Sequence, residues 1–73
     1  MIKFYRTQMD AKTKAVEMYL TLNDIEFEAK VVEEKDLEEF LGEVGAPEMP
    51  VLELENGDII SGFNPAVLKA NLG

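Results

Sequence analysis

The spacing of apolar positions shifts along the chain, and each shift predicts an element. Ile2-Lys3-Phe4-Tyr5 is a short apolar and aromatic run, better suited to a buried central strand than to an edge. From Ala11 the period lengthens: Ala11, Ala15, Met18, Tyr19 and Leu22 recur at helical spacing, with Lys12, Lys14, Glu17 and Thr21 on other faces. Asp10 stands as the N-cap of this helix and Asn23 as its stop. Ile25 to Val31 then alternates apolar and polar residues, which predicts a strand at or near a sheet edge with one face solvated. Strand, helix and strand so spaced imply a parallel pair joined by a right-handed crossover.

Beyond Val31 the run Glu33-Glu34-Lys35-Asp36 reads as a polar loop ending in an acidic helix start, which the helix dipole favours. Leu37, Phe40, Leu41 and Val44 place an apolar stripe on a second helix, and Gly45 closes it. Two prolines in Ala46-Pro47-Glu48-Met49-Pro50 forbid a continued helix and a regular central strand, so this segment is a shaped loop. Val51-Leu52-Glu53-Leu54 follows as a third strand. Asn56-Gly57 is a two-residue hairpin signal, and Asp58-Ile59-Ile60-Ser61 returns as an antiparallel neighbour. Asn64-Pro65 supplies an N-cap and an N1 proline to a last helix, with Val67, Leu68 and Leu72 as the face to bury. The order is βαβαββα, an α/β domain over residues 1–73 in which a four-stranded mixed sheet is covered by three helices.

Composition narrows what such a domain can do. A chain of 73 residues buries only about 60% of the surface it exposes when unfolded. No cysteine or histidine is present to staple it through a disulfide or help form a zinc site. Oxygen-only metal binding has no D-x-D-x-D-G spacing to support it. No apolar run reaches about 18 residues and no charged-then-apolar leader opens the chain, so the expectation is a soluble, cytoplasmic protein with no membrane partner. Fifteen acidic against seven basic residues give a net charge of −8, which repels nucleic acid. Such acidity serves solubility, or in a sharper form imitates DNA for a nucleic-acid-binding protein.

The order of elements and several local details resemble the thioredoxin fold in its smallest form, and within it the glutaredoxins and the small glutaredoxin-like redoxins that serve ribonucleotide reductase. The resemblance spans the chain: Tyr5 ending strand one, Ile25-Glu26-Phe27-Glu28 after helix one, Met49-Pro50 before strand three, and Ser61-Gly62-Phe63-Asn64-Pro65 leading into the last helix. In that family helix one opens with Cys-x-x-Cys. Here the corresponding positions read Asp10-Ala11-Lys12-Thr13, and no cysteine occurs elsewhere. Exchange of thiols and disulfides needs a thiolate to attack and, in the dithiol route, a second thiol to resolve, and neither Asp nor Thr supplies one. The family's redox activity is therefore excluded.

The resemblance further implies that Pro50 is a cis-proline opposite the helix-one loop, and that Met49 offers its backbone to an extended ligand. Arg6, Met9, Asp10, Lys12, Thr13, Met49, Pro50 and Phe63 would then form a degenerate active-site groove suited to a protein partner. Asp10 at a helix N-terminus is a fixed carboxylate where the family's reduced form carries a thiolate, so it either mimics that state or only caps the helix. Lys14, four residues on, reads as its exposed helical ion-pair partner. Catalysis of another kind has no histidine and no Ser beside a base to work with. Glutathione is disfavoured, because Gly62-Phe63-Asn64-Pro65 replaces the Gly-rich acidic turn of classical glutaredoxins. No cofactor is implied.

Overall fold

Strand β1 (Ile2–Arg6) lies inside the sheet, as its apolar character requires: Phe4 is wholly buried. The computed structural model describes residues 1–7 and 10–72. After β1 come α1 (Ala11–Leu22), β2 (Phe27–Val31), α2 (Leu37–Val44), β3 (Val51–Glu53), β4 (Ile59–Ser61) and α3 (Pro65–Leu72). The strand order is β2-β1-β3-β4, with β1 parallel to β2 and the other two pairings antiparallel. This is the βαβαββα arrangement predicted, with β2 at an edge. A single turn of 3₁₀ helix at Glu34–Asp36 replaces the last part of the expected loop before α2.

Register divides the side chains between two faces. Ile2, Phe4, Phe27, Leu52 and Ile60 share one, and they pack with Val16 and Leu20 of α1 and Leu68 of α3 into the main core. Phe4 and Phe27 meet edge to face, ring centroids 5.5 Å apart. On the other face Tyr5 packs against Phe40 of α2 at 4.8 Å, and its hydroxyl donates to Glu53 at 3.4 Å. Two helices thus cover one face and one helix the other. None of the residues of α2 is fully buried.

Several expectations are corrected. The buried stripe of α1 is Thr13, Val16 and Leu20, whereas Met18 and Leu22 are 61% and 75% exposed. At about 100° per residue these two sets lie on opposite sides of the helix, and the sheet selects the β-branched and leucine side. β2 begins at Phe27 rather than Ile25, because Ile25 belongs to the end of α1: its N–H donates to the Leu20 carbonyl at 2.9 Å and that of Asp24 to Thr21 at 3.2 Å. These bonds make a Schellman closure with Asp24 in the left-handed region at φ +55. Within β2, Ala29 and Val31 remain exposed although their phase is that of the core, since an edge strand outruns the cover of the helices. Val67 of α3 is exposed too, leaving Leu68 and Leu72 as the packed residues.

The hairpin differs in an instructive way. Gly57 donates to the Leu54 carbonyl and Leu54 to the Asp58 carbonyl, and Gly57 takes φ +92 while Asn56 does not enter positive φ. That is a three-residue loop, a turn followed by a left-handed glycine, and not the two-residue turn that Asn-Gly predicts. A two-residue turn would pair Glu53 with Ile60. The observed register pairs Leu52 with Ile60 and keeps apolar residues on one face, so burial decides the loop length.

Candidate functional site

The start of α1 is fixed by its cap. Asp10 has extended backbone, its Oδ1 accepts from the Thr13 N–H at 2.8 Å, and its carbonyl accepts from the Lys14 N–H at 3.0 Å. The Thr13 N–H, with the Thr13 hydroxyl beside it, holds the Asp10 carboxyl below its ordinary range, and Lys12 adds to this. Asp10 is therefore a lasting anion at the helix N-terminus. The Thr13 side chain is turned inward and is only 1% exposed.

The expected Asp10–Lys14 ion pair is not formed among the described residues, and Lys12 instead pairs with Glu48. The Lys12 Nζ lies 2.8 Å from Glu48 Oε1, and this hydrogen-bonded partner raises the lysine above its usual range. The Lys12–Glu48 contact bridges the first turn of α1 to the loop ahead of β3, two segments far apart in sequence.

That loop is held from behind by the start of the last connection. Ser61 Oγ accepts from the Glu48 N–H at 3.2 Å and donates to the Glu48 carbonyl at 2.6 Å, so one hydroxyl engages both backbone groups. Gly62 donates to the Pro50 carbonyl at 2.8 Å. Gly62 has φ +70, which favours glycine, and a Cβ there would displace only the movable end of the Glu48 side chain. The Met49–Pro50 bond is cis, as the resemblance implies. Pro50 itself is buried and Met49 half-buried. Among the described residues neither the N–H nor the carbonyl of Met49 has a partner.

Of the residues expected in the groove, then, Lys12 and the Met49-Pro50 loop are brought together through Glu48, and Asp10 with Thr13 forms the adjoining helix cap. Phe63 follows Gly62 and is 40% exposed. Arg6 is half-buried, its Nη1 donating to the Thr7 carbonyl at 3.4 Å. Met9 lies outside the described residues. Glu48 is the participant that the residue pattern left unassigned. A signal for it exists in retrospect: Lys12 has Ala15 and Val16 three and four residues on, so no helical acid follows to pair with it.

The described residues contain no group of three or more carboxylates placed to hold a metal ion, and no helix among them is long and apolar enough to cross a membrane. The chain has no cysteine, so these positions contain no thiol. No family model matches this chain, and neither a curated protein nor a solved structure matches it.

Proposed function

We propose that this chain is a redox-inactive, glutaredoxin-like domain that binds a protein partner across the groove between the N-terminus of α1 and the Met49-Pro50 loop. The supporting observation is the frame around Asp10. A carboxylate is held ionised at a helix N-terminus, where the resemblance would put the family's first sulfur, and Lys12 ties that helix to a loop whose Met49 backbone groups are unengaged among the described residues. A residue before proline is biased toward extended backbone, the conformation that pairs with an added strand. The domain then acts in the cytoplasm as a decoy or regulator, holding an enzyme that normally meets a redoxin, of the ribonucleotide reductase or reductase class, without turnover.

Asp10→Asn separates charge mimicry from capping, because asparagine is as good a cap but carries no charge. With purified ribonucleotide reductase and thioredoxin reductase as prey, immobilised protein is expected to retain one of them. Asp10→Asn is expected to weaken that retention at least tenfold while leaving the urea midpoint near that of the parent, whereas Asp10→Ala lowers the midpoint as well. Retention of neither enzyme, or equal retention by Asp10→Asn, removes the basis of the proposal. The integrity of the scaffold has its own test: Asp10→Cys with Thr13→Cys is expected to restore disulfide reductase activity.

A second function, imitation of DNA, draws on one observation: Glu33, Asp36, Glu39 and Glu43 border a single groove of ≈ 490 Å³ beside Val31, Val32 and Phe40. Neutralising Glu33, Glu34, Glu38 and Glu39 would abolish partner binding in that case, with Asp10→Asn silent.

A further inference from the structure

The edge strand β2 has a pattern that is complementary to itself. Reading outward from Ala29, Glu28 is balanced by Lys30 and Phe27 by Val31. Two copies laid antiparallel about Ala29 therefore bring Glu28 against Lys30 of the second copy, and Phe27 against Val31 of the second copy, on both sides of a two-fold axis. A one-residue slip in either direction destroys both matches.

Backbone parity agrees with this register. Val32 donates inward to the Arg6 carbonyl at 2.8 Å, and in a parallel pairing the residues that face the neighbour alternate with those that face away. Glu28 and Lys30 share the parity of Val32 and bond to β1. Phe27, Ala29 and Val31 direct both N–H and carbonyl outward, and among the described residues none of these groups bonds to anything beyond the sheet. Ala29 opposite its own copy, and Phe27 opposite Val31 of the second copy, are then the hydrogen-bonded pairs of an antiparallel ladder, with six bonds in all. Glu28 opposite Lys30 becomes the closer, non-hydrogen-bonded pair, in which side chains interact most strongly. Glu28 and Lys30 already meet within one strand at 3.3 Å, so both heads lie on one face. Val31 is 62% exposed and Ala29 is exposed, so apolar surface is available on the opposite face.

We infer that β2 is a self-association surface and that its occupant is a second copy of this chain, joined antiparallel about Ala29 into one continuous eight-stranded sheet. Charges on an edge strand ordinarily repel a docking strand. Here they repel strands of other patterns and accept this one. The ribbon is short, below the roughly 1,200–2,000 Å² of stable complexes, and each copy carries −8, so the dimer is weak and is favoured when salt screens the repulsion.

Sedimentation equilibrium of the whole chain at about 0.15 M salt, up to roughly millimolar protein, tests this directly. A reversible shift from 8.2 kDa toward twice that mass is expected. Glu28→Lys alone and Lys30→Glu alone each set like charges opposite and should abolish the shift. An equimolar mixture of the two variants should restore it, as should the double reversal in one chain. Both positions are exposed, so circular dichroism melts should stay close to those of the parent. Amide exchange should slow with concentration at Phe27, Ala29 and Val31, but not at Glu28 or Lys30. A single 8.2 kDa species throughout overturns the inference, and so does association that survives the single reversals, because that contact lies elsewhere.

Discussion

Asp10 and Lys12 are neighbours whose charges are fixed in opposite ways. Folding lowers the carboxyl of Asp10, so its contribution to stability is complete above the unfolded value of about 3.9 and is lost as pH falls through the lower folded value. Glu48 raises Lys12, so that contribution is complete below about 10.4 and is lost as pH rises through the higher folded value. A urea midpoint followed below about pH 4 should fall less steeply in Asp10→Asn than in the parent, while Glu48→Gln should flatten the loss of stability on the alkaline side. Burial separates two leucines of the same helix just as clearly. Leu20→Ala is expected to cost about 2–5 kcal/mol, and Leu22→Ala to stay within about 0.5 kcal/mol, in urea unfolding. The reverse result would return α1 to the face that its Met18 and Leu22 spacing suggests.

At the scale of elements, caps follow from sequence because they are local chemistry. Asp10 and Asn64 cap α1 and α3, the Asn64 Oδ1 accepting from the Val67 N–H at 3.3 Å, and Gly45 ends α2 at φ +73. The face of α1 does not follow, since apolar residues occupy both of its sides and only the sheet chooses between them. Nor does the hairpin length, which Asn56-Gly57 suggests one way and the phase of Leu52 and Ile60 decides the other. Glu48 is signalled only by the lack of a helical acid after Lys12, and its partners Lys12 and Ser61 lie 36 and 13 residues away. The α1 closure offers a test. Asp24 spends backbone energy in the left-handed region that glycine adopts freely. Asp24→Gly should therefore raise stability by about 0.5–1 kcal/mol, a rise of a few degrees in melting temperature.

In the whole molecule, cohesion is uneven. The α1 and α3 face holds the buried cluster from Ile2 to Leu68, while α2 lies over Tyr5 through half-buried residues alone. Regions with few buried contacts open locally before the domain unfolds. Amides of α2 are expected to exchange well before those of β1 and β3, and protection of α2 equal to that of the central strands would show a single cooperative unit. The side that carries α2 is also the side on which Glu33, Asp36, Glu39 and Glu43 gather, so the least anchored helix bears much of the acid.

The Ser61 hydroxyl has a consequence for any chain that lies along the loop before β3. It occupies both backbone groups of Glu48, while Gly62 takes the carbonyl of Pro50, so that among the described residues Met49 alone in this stretch keeps both backbone groups unengaged. In the binding mode proposed above, a docked strand would have one residue on which to fasten and could not slide by two residues to find another. Its alignment would thereby be indexed to Met49, and its neighbouring side chains would fall at fixed stations relative to Asp10, Lys12 and Phe63. Selectivity in that proposed mode would then be a matter of which side chains a sequence presents at those stations, since the backbone contact would be the same for all.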